Sequence, residues 1–198
     1  MRKSIIMPIV ALLLAGCILL GAYNGLLGIR QSRDEAELQA KMQTILPGSE
    51  TFTPEAYSGE DANIRNAYKG ETGYVVETVT YGYAGNITML IGVSNEGTVT
   101  GLQVRQMQET YGLGAQALTD WEFLAQFLRT TGNVTIVTSG ADAFSAATGT
   151  AEAAGEEVYV DGLTGATVTS KAIARSVNSA VAFVTGADTA TAATSWGG

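Results

Sequence analysis

No charged side chain occurs between Lys3 and Arg30. The 26 residues at positions 4–29 would form a helix roughly 39 Å long at about 1.5 Å per residue, more than the apolar core of a bilayer requires. Pro8 lies near its start, where a proline costs a helix least. Arg2 and Lys3 precede the run and Arg30 and Arg33 follow it, so the basic residues barely discriminate its orientation. A chain that opens this way is expected to place one transmembrane anchor over residues 1–30. Everything that folds by burying a core must then come after it.

What comes after is acidic. All 19 acidic residues follow position 29, against nine of the 11 basic ones, so the remainder carries a net charge of −10. A nucleic-acid partner is excluded on that ground, since phosphate backbones need a basic surface. The chain has no histidine and a single cysteine, Cys17, inside the apolar run. Histidine-based triads, cysteine-ligated clusters and the usual zinc sites are excluded, and no metal site is expected. Redox chemistry in such a chain falls to an organic cofactor. Leu14-Ala15-Gly16-Cys17 is similar to a lipoprotein cleavage box, but the Ile-Leu-Leu-Gly-Ala-Tyr that follows stays apolar. An uncleaved helix is the preferred reading over lipidation of Cys17.

Residues 32–46 read as a short amphipathic stalk helix, with Leu38, Met42 and Ile45 at helical spacing and Pro47-Gly48 as its stop. Residues 49–61 read as a connector, which makes 31–62 stalk and connector. Three β-rich runs follow, at 74–80, 86–93 and 98–105. Ser94-Asn95-Glu96-Gly97 is a hairpin turn between the last two. Residues 119–131 read as a helix capped by Thr119 with Glu122 reaching back, and Trp121, Leu124, Phe127 and Leu128 form its apolar face. Short strands are expected at 134–137 and 158–160, with a flexible loop over 139–155 between them. Residues 169–185 read as a helix with Ile173, Val177, Val181 and Val184 on one stripe, ended by Gly186. A mobile tail follows from 187. The expected fold class is α+β, a twisted antiparallel sheet packed by helices, with one domain over 63–186.

Chemistry concentrates in Asp161-Gly162-Leu163-Thr164-Gly165-Ala166-Thr167-Val168-Thr169-Ser170. The pattern is a strand, a turn of small residues and a helix start. Gly165 and Ala166 permit close approach of a ligand to the backbone. The first N–H groups of the helix lack intrahelical partners and sit at the positive end of its dipole, which suits a phosphate. The same hydroxyl-rich start serves equally as a helix cap in a chain with no ligand.

Asp-x-x-Thr-Gly-Ala-Thr-x-Thr-Ser resembles the attachment motif of the FMN-binding domain in the G subunit of the Rnf ion-translocating electron-transport complex. A similar domain occurs in the C subunit of the Na⁺-translocating NADH:quinone oxidoreductase. The resemblance implies FMN (flavin mononucleotide) held by a phosphoester to Thr167, with Thr164, Gly165 and Ala166 completing the core. Asp161 and Thr169 match flanking positions read by the flavin transferase that attaches the cofactor. About fifty residues earlier, Glu109-Thr110-Tyr111-Gly112-Leu113-Gly114 resembles the family's Glu-Thr-Pro-Gly-Leu-Gly loop, with Tyr111 in place of the proline. By the same resemblance Glu109, Thr110, Gly112, Leu113 and Gly114 line the flavin ring or its ribityl chain. Lys171 and Arg175 lie in the first turns of the helix, where solvation is their ordinary state. Trp121, Tyr81 and Tyr83 are aromatics that could stack on a flavin, with core or sheet-surface packing as their default role.

The implied function is electron relay by a subunit of a membrane-bound ferredoxin:NAD⁺ oxidoreductase that moves Na⁺ or H⁺. Its implied partners are other membrane and iron–sulfur subunits, and its FMN domain would lie on the extracytoplasmic side. Two alternatives stay open: a free-standing lipid-anchored flavoprotein carrier or reductase, and a binding module without cofactor.

Overall fold

The computed structural model describes residues 2–110, 114–137 and 158–187. Helix α1 (Arg2–Ile45) runs without a break from the apolar segment through the expected stalk. Among the described residues no helix is long and apolar enough to cross a membrane. The span expected over 4–29 falls in the main on residues whose side chains lie outside the described set. Packing divides the chain after Lys41 into two units. In the first, Lys41 pairs with Glu37 one turn earlier (2.7 Å), a contact of small energetic weight on an exposed helix.

The second unit begins with the last turn of α1. Its sheet has five antiparallel strands in sequence order: β1 (Thr53–Glu55), β2 (Ile64–Lys69), β3 (Gly73–Tyr81), β4 (Asn86–Ser94) and β5 (Val99–Met107). Three of these match the expected runs. β1 and β2 were not expected, and the connector over 49–61 gives up part of its length to β1. Neither announces itself: β1 has three residues, and Ile64-Arg65-Asn66-Ala67-Tyr68-Lys69 is broken by a bulge at Arg65 that spoils simple alternation. The turn at 94–97 forms as its residues dictate, with Gly97 N–H donating to Ser94 O (2.9 Å).

Helix α2 (Gly114–Ala117) and helix α3 (Trp121–Ala125) follow. The helix expected over 119–131 is thus shorter and differently capped. Asp120, not Thr119, is the N-cap, and its Oδ1 accepts from the N–H groups of Glu122 (3.0 Å) and Phe123 (3.2 Å). Beyond it the chain turns off the helical path, with Arg129 at φ +67°. β6 (Val134–Val137) and β7 (Val158–Asp161) pair in parallel as a separate small ribbon. The loop expected over 139–155 lies outside the described residues, as does the tail from 188. Helix α4 (Thr167–Thr185) closes the domain and ends at Gly186 in the left-handed conformation.

One face of the sheet makes the core. Val76, Ile87, Met89, Ile91 and Val93 pack with Phe123 and Phe127 and with Ile173, Val177 and Val181 of α4. Each such fully buried side chain stabilises the fold by about 1.5–3 kcal/mol. Polar contacts then fix where α4 sits. The Thr80 hydroxyl donates to Ala172 O (3.1 Å) and shares a hydrogen bond with Ser176 Oγ (2.9 Å). Asn178 plays the part of a neighbouring strand for β6: its Oδ1 accepts from Val134 N–H (2.8 Å) and its Nδ2 donates to Val134 O (3.0 Å).

The other face receives the end of α1, where Thr100 Oγ1 donates to Ile45 O (2.8 Å). It also carries Glu77, 3% exposed, which accepts from Asn66 Nδ2 and from Arg105 Nη1 (2.7 Å). Tyr68 lies beside this group. Burial pushes its phenol above the usual tyrosine range and the Glu77 carboxylate adds to the push, while Arg105 opposes both.

Candidate functional site

The parallel ribbon and α4 build the site between them. β7 ends at Asp161, Gly162 N–H donates to Val137 O (2.8 Å), and the chain then reverses through Leu163-Thr164-Gly165. Gly165 sits at φ +81°, a conformation that side chains other than glycine's rarely permit. Ser170 locks the reversal from inside the helix: its hydroxyl donates to Ala166 O (3.0 Å), and Leu163 N–H points to its Oγ (3.4 Å). The sequence pattern includes Ser170 but assigns it no role. Its position three residues after the expected attachment threonine was the available signal.

The helix begins two residues earlier than the periodicity suggested, so Thr167 is its first residue and Ala166 its N-cap. Ala166 has no side chain that can cap, and no side-chain hydrogen bond caps this end. The hydroxyls of Thr164, Thr167 and Thr169 therefore do not perform the capping role that would explain them without a ligand. The helix presents free N–H groups and the positive end of its dipole beside a half-buried threonine.

A second observation points the same way. Thr169 is fully buried and its Oγ1 has no hydrogen-bond partner. Two other buried oxygens among the described residues share that state, Asp61 Oδ2 and Thr78 Oγ1, but neither lies at the start of α4. An unmade hydrogen bond of this kind costs about 1–3 kcal/mol, so its retention needs a reason.

The Glu109 loop comes to the same corner. A Cβ on Gly114 would lie 2.4 Å from Glu109 Oε2 and 2.6 Å from Thr169 Oγ1, so the two expected motifs meet across this glycine. Glu109 is half-buried; its Oε1 accepts from Tyr83 N–H (2.7 Å) and its Oε2 from Ala84 N–H (3.4 Å). The carboxylate expected to line the flavin thus holds the turn between β3 and β4. That turn, Gly82-Tyr83-Ala84-Gly85, was not expected, although two glycines closing a two-residue tip between strands is a legible hairpin signal. Thr110 is exposed, and its carbonyl accepts from Ala115 N–H (3.2 Å). Gly112 and Leu113 lie outside the described residues, as does Tyr111.

Other expected members spread out. Thr164 and Gly165 are exposed at the turn, and Ala166 is buried beneath it. Asp161 is exposed, and its N–H is held by Gln126 Oε1 (3.0 Å). Lys171 is exposed. Arg175 turns to the sheet, where its Nη2 donates to Tyr81 O (2.9 Å) and burial draws its basicity below the usual arginine range. Core packing is ruled out for Trp121, Tyr81 and Tyr83, each more than 60% exposed. A cleft of about 860 Å³ lies further along α4 between Asp61, Arg175 and Phe183 and contains none of these site residues apart from Arg175.

A tethered phosphate ester fits this donor set. It needs a hydroxyl at a helix start, free amides, a glycine-opened approach and a buried donor, and each is present. Among the described residues no cluster of His, Cys, Asp and Glu could hold a metal ion.

Comparison with known proteins gives a consistent result. The family model described as FMN-binding domain matches residues 82–182. The G subunit of an ion-translocating oxidoreductase complex from Methanosarcina acetivorans is 35% identical over 161 residues, 76% of this chain and 77% of that one. The G subunit of a Na(+)-translocating ferredoxin:NAD(+) oxidoreductase complex from Acetobacterium woodii is 36% identical over 110 residues, 55% of this chain and 47% of that one. Among solved structures, the C subunit of the Na(+)-translocating NADH-quinone reductase from Parabacteroides distasonis superposes with a TM-score of 0.48 at 18% identity, over 74% of this chain and 79% of that one.

Proposed function

The chain belongs to the FMN-binding domain family, and we propose that it carries one FMN esterified through its phosphate to Thr167 and relays electrons as the G subunit of an ion-translocating ferredoxin:NAD⁺ oxidoreductase complex. The carrying observation is the start of α4: Thr167 opens a helix whose N-terminus no side chain caps, beside a buried Thr169 hydroxyl with no partner. FMN supplies the electron-carrying chemistry. The chain's own residues hold and orient it.

Thr167 Oγ is the anchor, not a nucleophile in turnover. The N–H groups of the first helical residues, Thr167 to Thr169, would hold the phosphate, whose charge the helix dipole favours; Ala166 N–H is taken up within the turn by Leu163 O (3.0 Å). Ser170 keeps the turn closed while the anchor is loaded. Asp161, exposed at the turn, stands where a flavin transferase would read the motif, whereas Thr169, the other flanking position, is buried. The ester makes retention independent of free FMN, which matters where lost cofactor cannot be recaptured.

Partners follow from the relatives, which are named as subunits of ion-translocating and ferredoxin:NAD(+) oxidoreductase complexes. Other membrane and iron–sulfur subunits are the proposed donor and acceptor. The uncharged run in α1 is the proposed anchor, and the acidic unit is placed on the extracytoplasmic side.

The test is intact mass of the full chain, extracted from membranes after co-production with a flavin transferase. The wild type gains one FMN moiety and Thr167→Ala gains none. A wild type of unmodified mass overturns the reading. A chain that starts at a diacylglyceryl-modified Cys17 replaces the membrane-complex role with that of a lipid-anchored carrier.

A further inference from the structure

We propose that Tyr83 forms the aromatic wall of the flavin site and that Glu109 is the residue that positions it. The inference rests on FMN being tethered to Thr167 and goes beyond that tether.

The turn that carries Tyr83 is held more firmly than a hairpin requires. A two-residue tip closes itself, here through Gly82 N–H donating to Gly85 O (2.8 Å). Yet Glu109 also accepts from the N–H groups of Tyr83 and Ala84, and Arg175 of α4 donates to Tyr81 O. The Thr80 hydroxyl fixes the strand end to the second turn of α4 at Ala172. The tip therefore stands beside the first turns of the helix that Thr167 opens. Small residues keep it there. A Cβ on Gly82 would lie 1.8 Å from Glu109 Oε1, and one on Gly114 would displace Glu109 Oε2. Tip, carboxylate, glycine and the orphan Thr169 hydroxyl form one contiguous corner.

Two tyrosines flank Gly82, and strand geometry separates them. Thr80 points to α4, so Tyr81, its neighbour on β3, points to the opposite face of the sheet. Tyr83 lies beyond the strand, 69% exposed, with its backbone on Glu109. A flavin joined to Thr167 by a flexible ribityl chain swings freely unless a surface receives its planar ring. A phenol ring offers that surface through offset stacking. Glu109 does not touch the flavin in this arrangement; it holds the amide of the residue that does.

Flavin emission reads this directly. A phenol stacked on a photoexcited isoalloxazine gives it one electron and takes the same electron back, so emission is lost with no net chemistry. The full chain, flavinylated and matched for FMN content by intact mass, is compared as wild type, Tyr83→Leu, Tyr83→Trp, Tyr81→Leu, Glu109→Gln and Glu109→Ala. The wild type is expected to emit several-fold less than its own proteolytic FMN-peptide. Tyr83→Leu regains most of that emission and lengthens its lifetime, Tyr83→Trp stays quenched, and Tyr81→Leu matches wild type. Glu109→Ala brightens, and Glu109→Gln, which retains one acceptor oxygen, lies between. Equal yields and lifetimes in wild type and Tyr83→Leu overturn the aromatic wall. Wild-type emission in Glu109→Ala overturns the positioning role. A wild type without FMN shows in the mass before any emission is read, and it sinks the attachment reading rather than this one.

Discussion

Glu109 and Thr169 face one another across Gly114, where an added Cβ would lie 2.4 Å from the carboxylate of one and 2.6 Å from the hydroxyl of the other. The two residues are sixty positions apart in sequence and belong to two motifs that sequence alone cannot bring into contact. Their meeting is what turns a loop and a helix start into one site.

The buried hydroxyl of Thr169 makes an unusual stability prediction. It has no partner, so Thr169→Val removes an unsatisfied polar group at nearly constant volume. The FMN-free variant is expected to be as stable as wild type or more stable by about 1 kcal/mol, while its flavin incorporation falls. Urea unfolding and intact mass on the same preparations check both halves. A clear loss of stability in the FMN-free form would mean that the hydroxyl has a structural partner.

Gly114→Ala tests the corner itself. The new methyl group competes with a carboxylate already held by two amides. Overpacking of this kind costs about 1–3 kcal/mol, and the turn carrying Tyr83 loosens as Glu109 leaves. Denaturant midpoints show the first effect, and amide exchange at Tyr83 and Ala84 shows the second.

Asn178→Leu tests how α4 is held to the ribbon that leads into the site. It strands both the N–H and the C=O of Val134. The expected cost is about 1–3 kcal/mol, with faster amide exchange at Val134. An unchanged melt would mean that the Asn178 contacts contribute nothing to the placement of α4, leaving it to the apolar stripe and the Thr80 contacts.

Tyr68 predicts an alkaline limit. Its folded pKa is raised, so the fold favours the neutral phenol. The contribution is fully present below the unfolded value of about 10 and is lost as pH rises through the folded one. Stability above pH of about 10 is expected to fall less steeply in Tyr68→Phe than in wild type. Chemical denaturation at stepped pH resolves the two slopes.

Much of the site was legible because short-range chemistry encodes it. A glycine at positive φ, small residues in a turn and a hydroxyl at a helix start are local properties of 161–170, and the stripe Ile173-Val177-Val181 faces the core as its spacing requires. The departures have physical causes. The three β-rich runs carry continuous apolar signals, whereas β2 has a bulge and a Tyr-Lys end that blur its alternation. The cap expected at Thr119 falls instead on Asp120, whose carboxylate accepts from two amides of the first turn. Nothing local could reveal that Glu109 turns to Tyr83, because that hydrogen bond joins residues 26 positions apart.

The central claim is the bond at Thr167, and site-resolved mass measurement tests it most directly. Trypsin releases residues 130–171 as one peptide, since no lysine or arginine lies between Arg129 and Lys171. Fragmentation of that peptide is predicted to place one FMN phosphoester on Thr167 and none on Thr164, Thr169 or Ser170. An adduct on any of those three, or a flavin that leaves the chain on denaturation, would contradict the account.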